Sequence, residues 1–205
     1  MNVWRERLAR WFDGPARACP LSPNTITIIA LGLNLAAAAS FLTARDHPGL
    51  FLVGIGFLTV GGFADAFDGI VARVQNKASR FGDFLDHVAD RISDTFVAAA
   101  WMIGSGVHPL LTAAGIIVVM LNGYMGTQIE ATWHERNYET VGRGEFVLAL
   151  IVYPLISYTV AMNGWRELRF GGLTIAGWQT ILLITTGLLG IAQRFALAAR
   201  LERRG

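Results

Sequence analysis

Long apolar runs alternate with short charged segments along the chain. Thr25 to Ala44 contains no charged residue, and about 20 helical residues cross a hydrocarbon core of about 30 Å. The runs are continuous, whereas a membrane β-barrel would show alternating apolar and polar positions. The pattern predicts six transmembrane helices, and the five later ones cover Gly49 to about Ala66, about Phe84 to Ile103, Pro109 to about Glu130, Phe146 to Met162, and Leu173 to about Ala198.

The first 18 residues have a different pattern, in which arginines separate apolar and aromatic residues at helical spacing. The apolar positions are Val3, Trp4, Leu8, Trp11 and Phe12, and the basic positions are Arg5, Arg7 and Arg10. This pattern is typical of a helix that lies in the membrane interface. We therefore predict an all-α membrane protein with an interfacial amphipathic helix over residues 1–18 and a single six-helix membrane domain over residues 19–205.

The composition excludes several classes of protein. Hydrophobic residues make up 53% of the 205 residues and charged residues 16%, against about 25% charged in average soluble domains. This argues against both an ordinary soluble domain and a disordered chain. Cys19 is the one cysteine, so an intramolecular disulfide framework and a cysteine zinc site are excluded. The net charge of +2 gives no indication of a nucleic-acid partner.

Lysine and arginine are distributed unevenly between the two sides of the predicted membrane domain. Thirteen of them lie on the side that holds both termini, three lie on the opposite side, and Arg91 falls inside the third predicted helix. Positively charged loops stay in the cytoplasm. The sequence therefore predicts a multi-pass cell-membrane protein with both termini in the cytoplasm.

Six of the eight aspartates fall within thirty residues, at the cytoplasmic ends of the second and third predicted helices: Asp65, Asp68, Asp83, Asp86, Asp90 and Asp94. The spacings i, i+3 and i, i+4 place Asp65 with Asp68, and Asp86 with Asp90, on single helix faces. Helices joined by a short loop are antiparallel neighbours, so the two pairs face one another. Such oxygen clusters suit Mg²⁺, Mn²⁺ or Ca²⁺, and two ions about 3.5–4 Å apart would suit phosphoryl transfer.

The roles of three neighbouring residues stay open. Asp83 and Asp94 either support the ligands or are a solvated acid and a helix cap. His87 is expected to point away from Asp86 and Asp90 on the helix, in a packing or supporting role rather than as a metal ligand.

Cations and small residues accompany the acids. Arg73, Lys77 and Arg80 lie in the connecting segment, and a metal site beside arginine indicates a phosphate-bearing substrate. A cation transporter is the alternative, but it would hold its acids near the bilayer centre, often between repeated halves. A membrane scaffold has no need of so dense an acid cluster.

The motif formed by these residues resembles that of the CDP-alcohol phosphatidyltransferase family. Its eight fixed positions are Asp65, Asp68, Gly69, Ala72, Arg73, Gly82, Asp86 and Asp90, all in order and spacing. Ser22, Pro23, Asn24 and Thr27 also resemble the family's usual start of the first membrane helix. The resemblance implies a homodimeric enzyme of phospholipid biosynthesis that transfers a phosphatidyl or archaetidyl group from a CDP-linked lipid to an alcohol and releases CMP at a cytoplasmic active site.

The same resemblance implies roles for individual residues. Two divalent cations, Mg²⁺ or Mn²⁺, would be held by Asp65, Asp68 and Asp86 with Asp90, and Asp90 would be the general base. The cytidine diphosphate pocket would be lined by Asp68, Gly69, Ala72, Arg73 and Gly82.

The acceptor alcohol is indicated by two arginines. Arg143 in the segment 141–146 and Arg194 after Gln193 resemble residues of the inositol-phosphate-using branch, so both are candidates for binding an acceptor phosphate. Phe146 stands where that branch has a second arginine, and residues 126–128 hold no lysine where the branch has one. Glycerol phosphate, inositol and serine therefore stay open as acceptors, and both arginines could instead be cytoplasmic anchors.

Overall fold

The computed structural model describes residues 12–133 and 143–203, with the backbone alone at residues 143 and 144. Residues 12–18 are helical. Six long helices follow, namely α1 (Pro23–Thr43), α2 (Gly49–Val74), α3 (Arg80–Gly104), α4 (Pro109–Trp133), α5 (Arg143–Met162) and α6 (Ile175–Glu202). Between α5 and α6, strand β1 (Arg169–Phe170) pairs antiparallel with β2 (Leu173–Thr174). The sequence did not predict this hairpin, which is the one departure from an all-α fold in the described residues.

Five of the six helices are long and apolar enough to cross a membrane: α1, α2, α4, α5 over Glu145–Met162, and α6. Helix α3 is present and has 25 residues, but its charged residues keep it outside that set. The chain is thus a membrane-embedded helical protein in which the third predicted span is the polar one. The interfacial helix predicted at residues 1–18 is described from residue 12 onward, and its first eleven residues lie outside the described part.

Helices α2 and α3 extend further towards the loop that connects them than hydropathy predicted. Helix α2 continues to Val74 rather than ending near Ala66, and α3 begins at Arg80 rather than near Phe84. The Ser79 side chain caps α3 by accepting a hydrogen bond of 3.0 Å from the Gly82 amide. The acidic residues therefore lie on regular helical turns, where their spacing fixes their directions.

The end of α2 is tied to the segment that precedes α1. Gln75 Nε2 donates hydrogen bonds to the carbonyl oxygens of Ala16 at 2.8 Å and Cys19 at 2.9 Å. Asn76 then reverses the chain with φ of 55°, a left-handed conformation that asparagine tolerates better than most residues. These contacts fix the loop that joins the two acid-bearing helices.

Helices α1, α2 and α3 pack closely around large buried side chains, among them Phe41, Phe51 and Trp101. Gly54 of α2 leaves room for the Phe41 ring, and Gly104 of α3 leaves room for the Phe41 carbonyl. Because small residues let helices approach closely, α2 and α3 both pack tightly against α1, which positions the two acid-bearing helices relative to one another.

The opposite end of the bundle is closed by polar contacts. Trp101 Nε1 donates to Ser157 Oγ at 3.0 Å and joins α3 to α5. Arg166 donates to the carbonyl oxygens of Ala44 and Arg45 just after α1. Cations at a helix carboxyl end stabilise its free carbonyls, so this end of the bundle is anchored away from the acids.

Candidate active site

Three carboxylates converge where the end of α2 meets the start of α3. Each of Asp65, Asp68 and Asp86 offers one oxygen, and these oxygens lie within 4.8 Å of one another. Asp68 is buried, and the other two are half-buried. Carboxylates this close repel one another unless a cation lies between them, and hard divalent ions prefer such oxygen ligands. The donor set therefore fits a divalent metal site, as the sequence predicted.

Asp90 lies one turn further along α3 and is buried, with 6% of its surface exposed. Among the described residues the converging group holds Asp65, Asp68 and Asp86, so Asp90 stands apart from the other three predicted ligands. Its Oδ2 lies 3.9 Å from Arg91 Nη2. A base role for Asp90 and a ligand role both stay predictions.

Thr27 of α1 is a member of the site that the sequence did not assign to it. Its Oγ1 donates to Asp68 Oδ2 at 2.5 Å in a buried hydrogen bond. Groups that hydrogen-bond a ligating carboxylate orient it and tune the metal. Thr27 belongs to the sequence pattern noted at the start of the first helix, but nothing in that pattern reveals its partner 41 residues away.

The residues predicted to bind the cytidine diphosphate group lie on the same ends of α2 and α3 as the carboxylates. Gly69 lies beside the Arg73 side chain, since an added Cβ would come within 3.5 Å of Nη1. Ala72 is half-buried and Arg73 is exposed on the same last turns of α2. Gly82 lies against the side chain of Asn24, whose Oδ1 would be 3.1 Å from an added Cβ. Small residues and an exposed arginine thus lie on the helix ends that carry the candidate metal site.

Other charged residues of α3 lie close to one another, and some of them reach α4. His87 lies between two acids, with Nδ1 4.0 Å from Asp83 Oδ2 and Nε2 3.7 Å from Glu130 Oε2. Asp94 Oδ2 lies 3.5 Å from Arg91 Nη2, and Asp94 is buried. His87 therefore links α3 to α4, in agreement with the supporting role expected from its helix position.

Arg194 of α6 reaches the same side of α4. It donates a hydrogen bond to Asn122 Oδ1, and its Nε would lie 3.4 Å from a Cβ added at Gly126. The side chain of Arg143 lies outside the described residues. Of the two arginines predicted to bind the acceptor, the structure thus places Arg194 against α4.

Comparisons with known proteins agree with this geometry. Residues 20–192 match the CDP-alcohol phosphatidyltransferase family model. The archaetidylinositol phosphate synthase of Pyrococcus horikoshii is 30% identical over 71% of this chain and 78% of its own length. That of Methanothermobacter thermautotrophicus is 28% identical over 78% of this chain and 80% of its own length.

Solved structures share the fold. The Mycobacterium tuberculosis phosphatidylinositol phosphate synthase with CDP-DAG bound aligns with a TM-score of 0.66 at 22% identity, over 93% of this chain and 92% of that one. The same enzyme in complex with manganese and citrate aligns with a TM-score of 0.62 at 23% identity, over 93% of this chain and 86% of that one. On the motif, the fold and the family match, the chain belongs to the CDP-alcohol phosphatidyltransferase family and is a membrane-embedded enzyme of it.

Proposed function

We propose that the enzyme transfers a phosphatidyl or archaetidyl group from a CDP-linked lipid to inositol phosphate. The observation that carries this proposal is the convergence of Asp65, Asp68 and Asp86, with Arg73 in the last turn of the helix that carries two of them. The names of the archaetidylinositol phosphate synthases that the chain resembles support the choice of acceptor. In the reaction, an acceptor hydroxyl oxygen attacks the lipid-linked phosphorus, the bond from that phosphorus to the CMP oxygen breaks, and CMP leaves with the electron pair.

We further propose that Asp65, Asp68 and Asp86 hold two divalent cations, Mg²⁺ or Mn²⁺, with Asp90 as an additional ligand. When bound, such ions neutralise diphosphate charge and stabilise the departing CMP. Thr27 orients the Asp68 carboxylate through its hydrogen bond. The protein's own contribution is therefore to hold the carboxylates at the ends of two helices that both pack against α1.

The donor site in this proposal combines Asp68, Gly69, Ala72, Arg73 and Gly82. The small residues let the nucleotide approach the backbone closely. The Arg73 guanidinium is exposed beside the acids and forms charge-assisted hydrogen bonds with the diphosphate. The acids and the arginine thus orient the lipid-linked phosphorus toward α3.

Asp90 serves as the general base in this proposal. Its carboxylate accepts the proton of the attacking hydroxyl, which requires hydrogen-bond reach of that group. Arg194, which is held beside α4 by Asn122, binds the acceptor phosphate together with Arg143. The acceptor hydroxyl and the donor phosphorus then meet between the donor site, which contains Arg73, and the arginines that bind the acceptor.

The setting of the enzyme is also proposed from sequence. The excess of Lys and Arg on one side, thirteen to three, supports a multi-pass cell-membrane enzyme with both termini and the active site in the cytoplasm. Residues 1–18 lie in the membrane interface, and residues 19–205 form one membrane domain. The enzyme works as a homodimer in the bilayer, by analogy with its family.

CMP release by the purified protein tests the proposal. The donors are CDP-diacylglycerol and its archaeal ether analogue, with Mg²⁺ or Mn²⁺, and the acceptors are inositol phosphate, glycerol phosphate, inositol and serine. We expect inositol phosphate to stimulate release most. Stimulation by another alcohol would correct the acceptor, and absence of both CDP-lipid binding and CMP release would overturn the proposed reaction.

A further inference from the structure

Arg91 is a charged residue in the interior of α3 that the proposed reaction does not use. Its side chain is 21% exposed and fits against α4 at Gly123, where an added methyl group would overlap the guanidinium. Ionisable groups at membrane depth are costly and usually functional. Gly123 therefore leaves the room on α4 that the Arg91 guanidinium fills.

Arg194 approaches the same face of α4 from another helix. Gly126, beside Arg194, follows Gly123 by three residues, so the two glycines share a face one turn apart. The two guanidinium groups therefore lie along one turn of the same face of α4. Helix α4 itself contains no lysine or arginine, so among the described residues Arg91 and Arg194 bring the positive charge beside Gly123 and Gly126.

The Arg91 guanidinium keeps hydrogen-bonding capacity after its contacts with acids. Its Nη2 lies 3.5 Å from Asp94 Oδ2 and 3.9 Å from Asp90 Oδ2, distances at which ion pairs attract but direct hydrogen bonds are weak or absent. Its Nε is buried and has no hydrogen-bond partner among the described residues. Since a guanidinium has five donors, these contacts do not use its full hydrogen-bonding capacity.

We infer that Arg91 joins Arg194 in binding the phosphate of the acceptor, and that Arg91 makes the enzyme select a phosphorylated acceptor over the free alcohol. This inference rests on the proposed function and deepens it. An anion between two guanidinium groups relieves their mutual repulsion, and the planar fork of arginine matches phosphate oxygens. Because Arg91 adjoins Asp90, a phosphate held there places the rest of the acceptor beside the proposed base.

The test compares two acceptors that differ only by the phosphate. We expect Arg91→Gln to lower the ratio of kcat/KM for inositol phosphate to kcat/KM for inositol by about 10- to 100-fold, the range expected for a lost charged hydrogen bond. Arg91→Lys should recover part of the ratio. Arg200→Gln removes an exposed cation from α6 and is the matched control, with the ratio unchanged.

A second variant moves Arg91 without removing its charge. Gly123→Ala should displace the guanidinium and lower the same ratio, while CDP-lipid binding is retained. If Arg91 only positioned Asp90, both acceptors would lose activity equally and the ratio would hold, which would overturn the inference. An unchanged ratio in Arg91→Gln with full activity would overturn it as well.

Direct binding separates this inference from the proposed function. Calorimetry with inositol phosphate in EDTA measures the arginine site without metal or turnover, and we expect weaker binding to Arg91→Gln than to wild type. If wild type turns over no phosphorylated acceptor but binds inositol phosphate through Arg91, the proposed function and the selectivity fail, and only the phosphate-binding role of Arg91 stands. If turnover occurs and Arg91→Gln binds inositol phosphate as wild type does, the inference alone fails.

Discussion

Thr27 of α1 donates a buried hydrogen bond of 2.5 Å to Asp68 of α2. The hydroxyl hydrogen-bonds to one carboxylate oxygen of Asp68. One oxygen from each of Asp65, Asp68 and Asp86 lies within 4.8 Å of the other two. Helix α1 carries none of the acids, yet it fixes the direction of the most buried one. The geometry of the metal site therefore depends on three helices rather than two.

Replacing Thr27 by valine removes this hydrogen bond while preserving side-chain shape. We expect Thr27→Val to weaken apparent Mg²⁺ or Mn²⁺ affinity by about 10- to 100-fold, the range for partners of metal ligands. Thr43→Val is the matched control, because the exposed Thr43 hydroxyl bonds only to carbonyls of its own helix. Metal titrations of CMP release measure the change, and an unaltered metal dependence in Thr27→Val would refute the orienting role.

Asp90→Asn tests the base. The variant keeps the shape of the side chain but cannot take the proton of the acceptor hydroxyl, so we expect turnover to fall by about 10²- to 10⁴-fold. CDP-lipid binding should be largely retained, since the proposed donor site is formed by Asp68, Gly69, Ala72, Arg73 and Gly82. Asp46→Asn, at an exposed position on the other side of the bundle, should behave as wild type. Full turnover by Asp90→Asn would exclude Asp90 as the base.

Metal removal tests the carboxylate group. Chelation with EDTA should abolish CMP release, and added Mg²⁺ or Mn²⁺ should restore it. Because the ion binds the folded state, it should also raise the thermal unfolding temperature of wild type in detergent. Asp65→Asn should lose most of that rise. Activity that persists after thorough chelation would rule out metal participation.

Glycine packing between helices can be tested within α2. A methyl group at Gly54 would overlap the buried Phe41 ring, whereas one at Gly56 would meet nothing within 4 Å. Overpacking typically costs about 1–3 kcal/mol. We expect Gly54→Ala to lower the thermal unfolding temperature and Gly56→Ala to leave it unchanged. Equal unfolding temperatures for the two variants would contradict the close approach of α1 and α2.

The carboxylate group could be predicted from the sequence because local geometry determines it. The three-residue spacing of Asp65 and Asp68 fixes their shared face, and a short loop brings Asp86 to the same end. Hydropathy placed the end of α2 too early, near Ala66, since it treats inward-facing acids as a break in the span. Helix α2 in fact continues to Val74. Asp65 and Asp68 converge with Asp86, so they do not interrupt the helix.

Contacts between distant helices could not be predicted. The pairing of Thr27 with Asp68 depends on how α1 packs against α2, and no pattern in the sequence specifies that packing. The position of Arg91 against Gly123 depends in the same way on α3 and α4. A charge within a predicted span was a signal for Arg91, but its partner appears only in three dimensions.

Helix α3 presents different faces to its two neighbourhoods. Asp86 joins the acids of α2, whereas Arg91, five residues later, reaches α4. In the proposed reaction, donor activation and acceptor choice therefore depend on separate surfaces of α3. Substitutions along α4 and α6 could therefore redirect the proposed reaction to a new alcohol during evolution. The transfer chemistry of α1, α2 and α3 would stay intact, so headgroup specificity could be engineered by changing α4 and α6 alone.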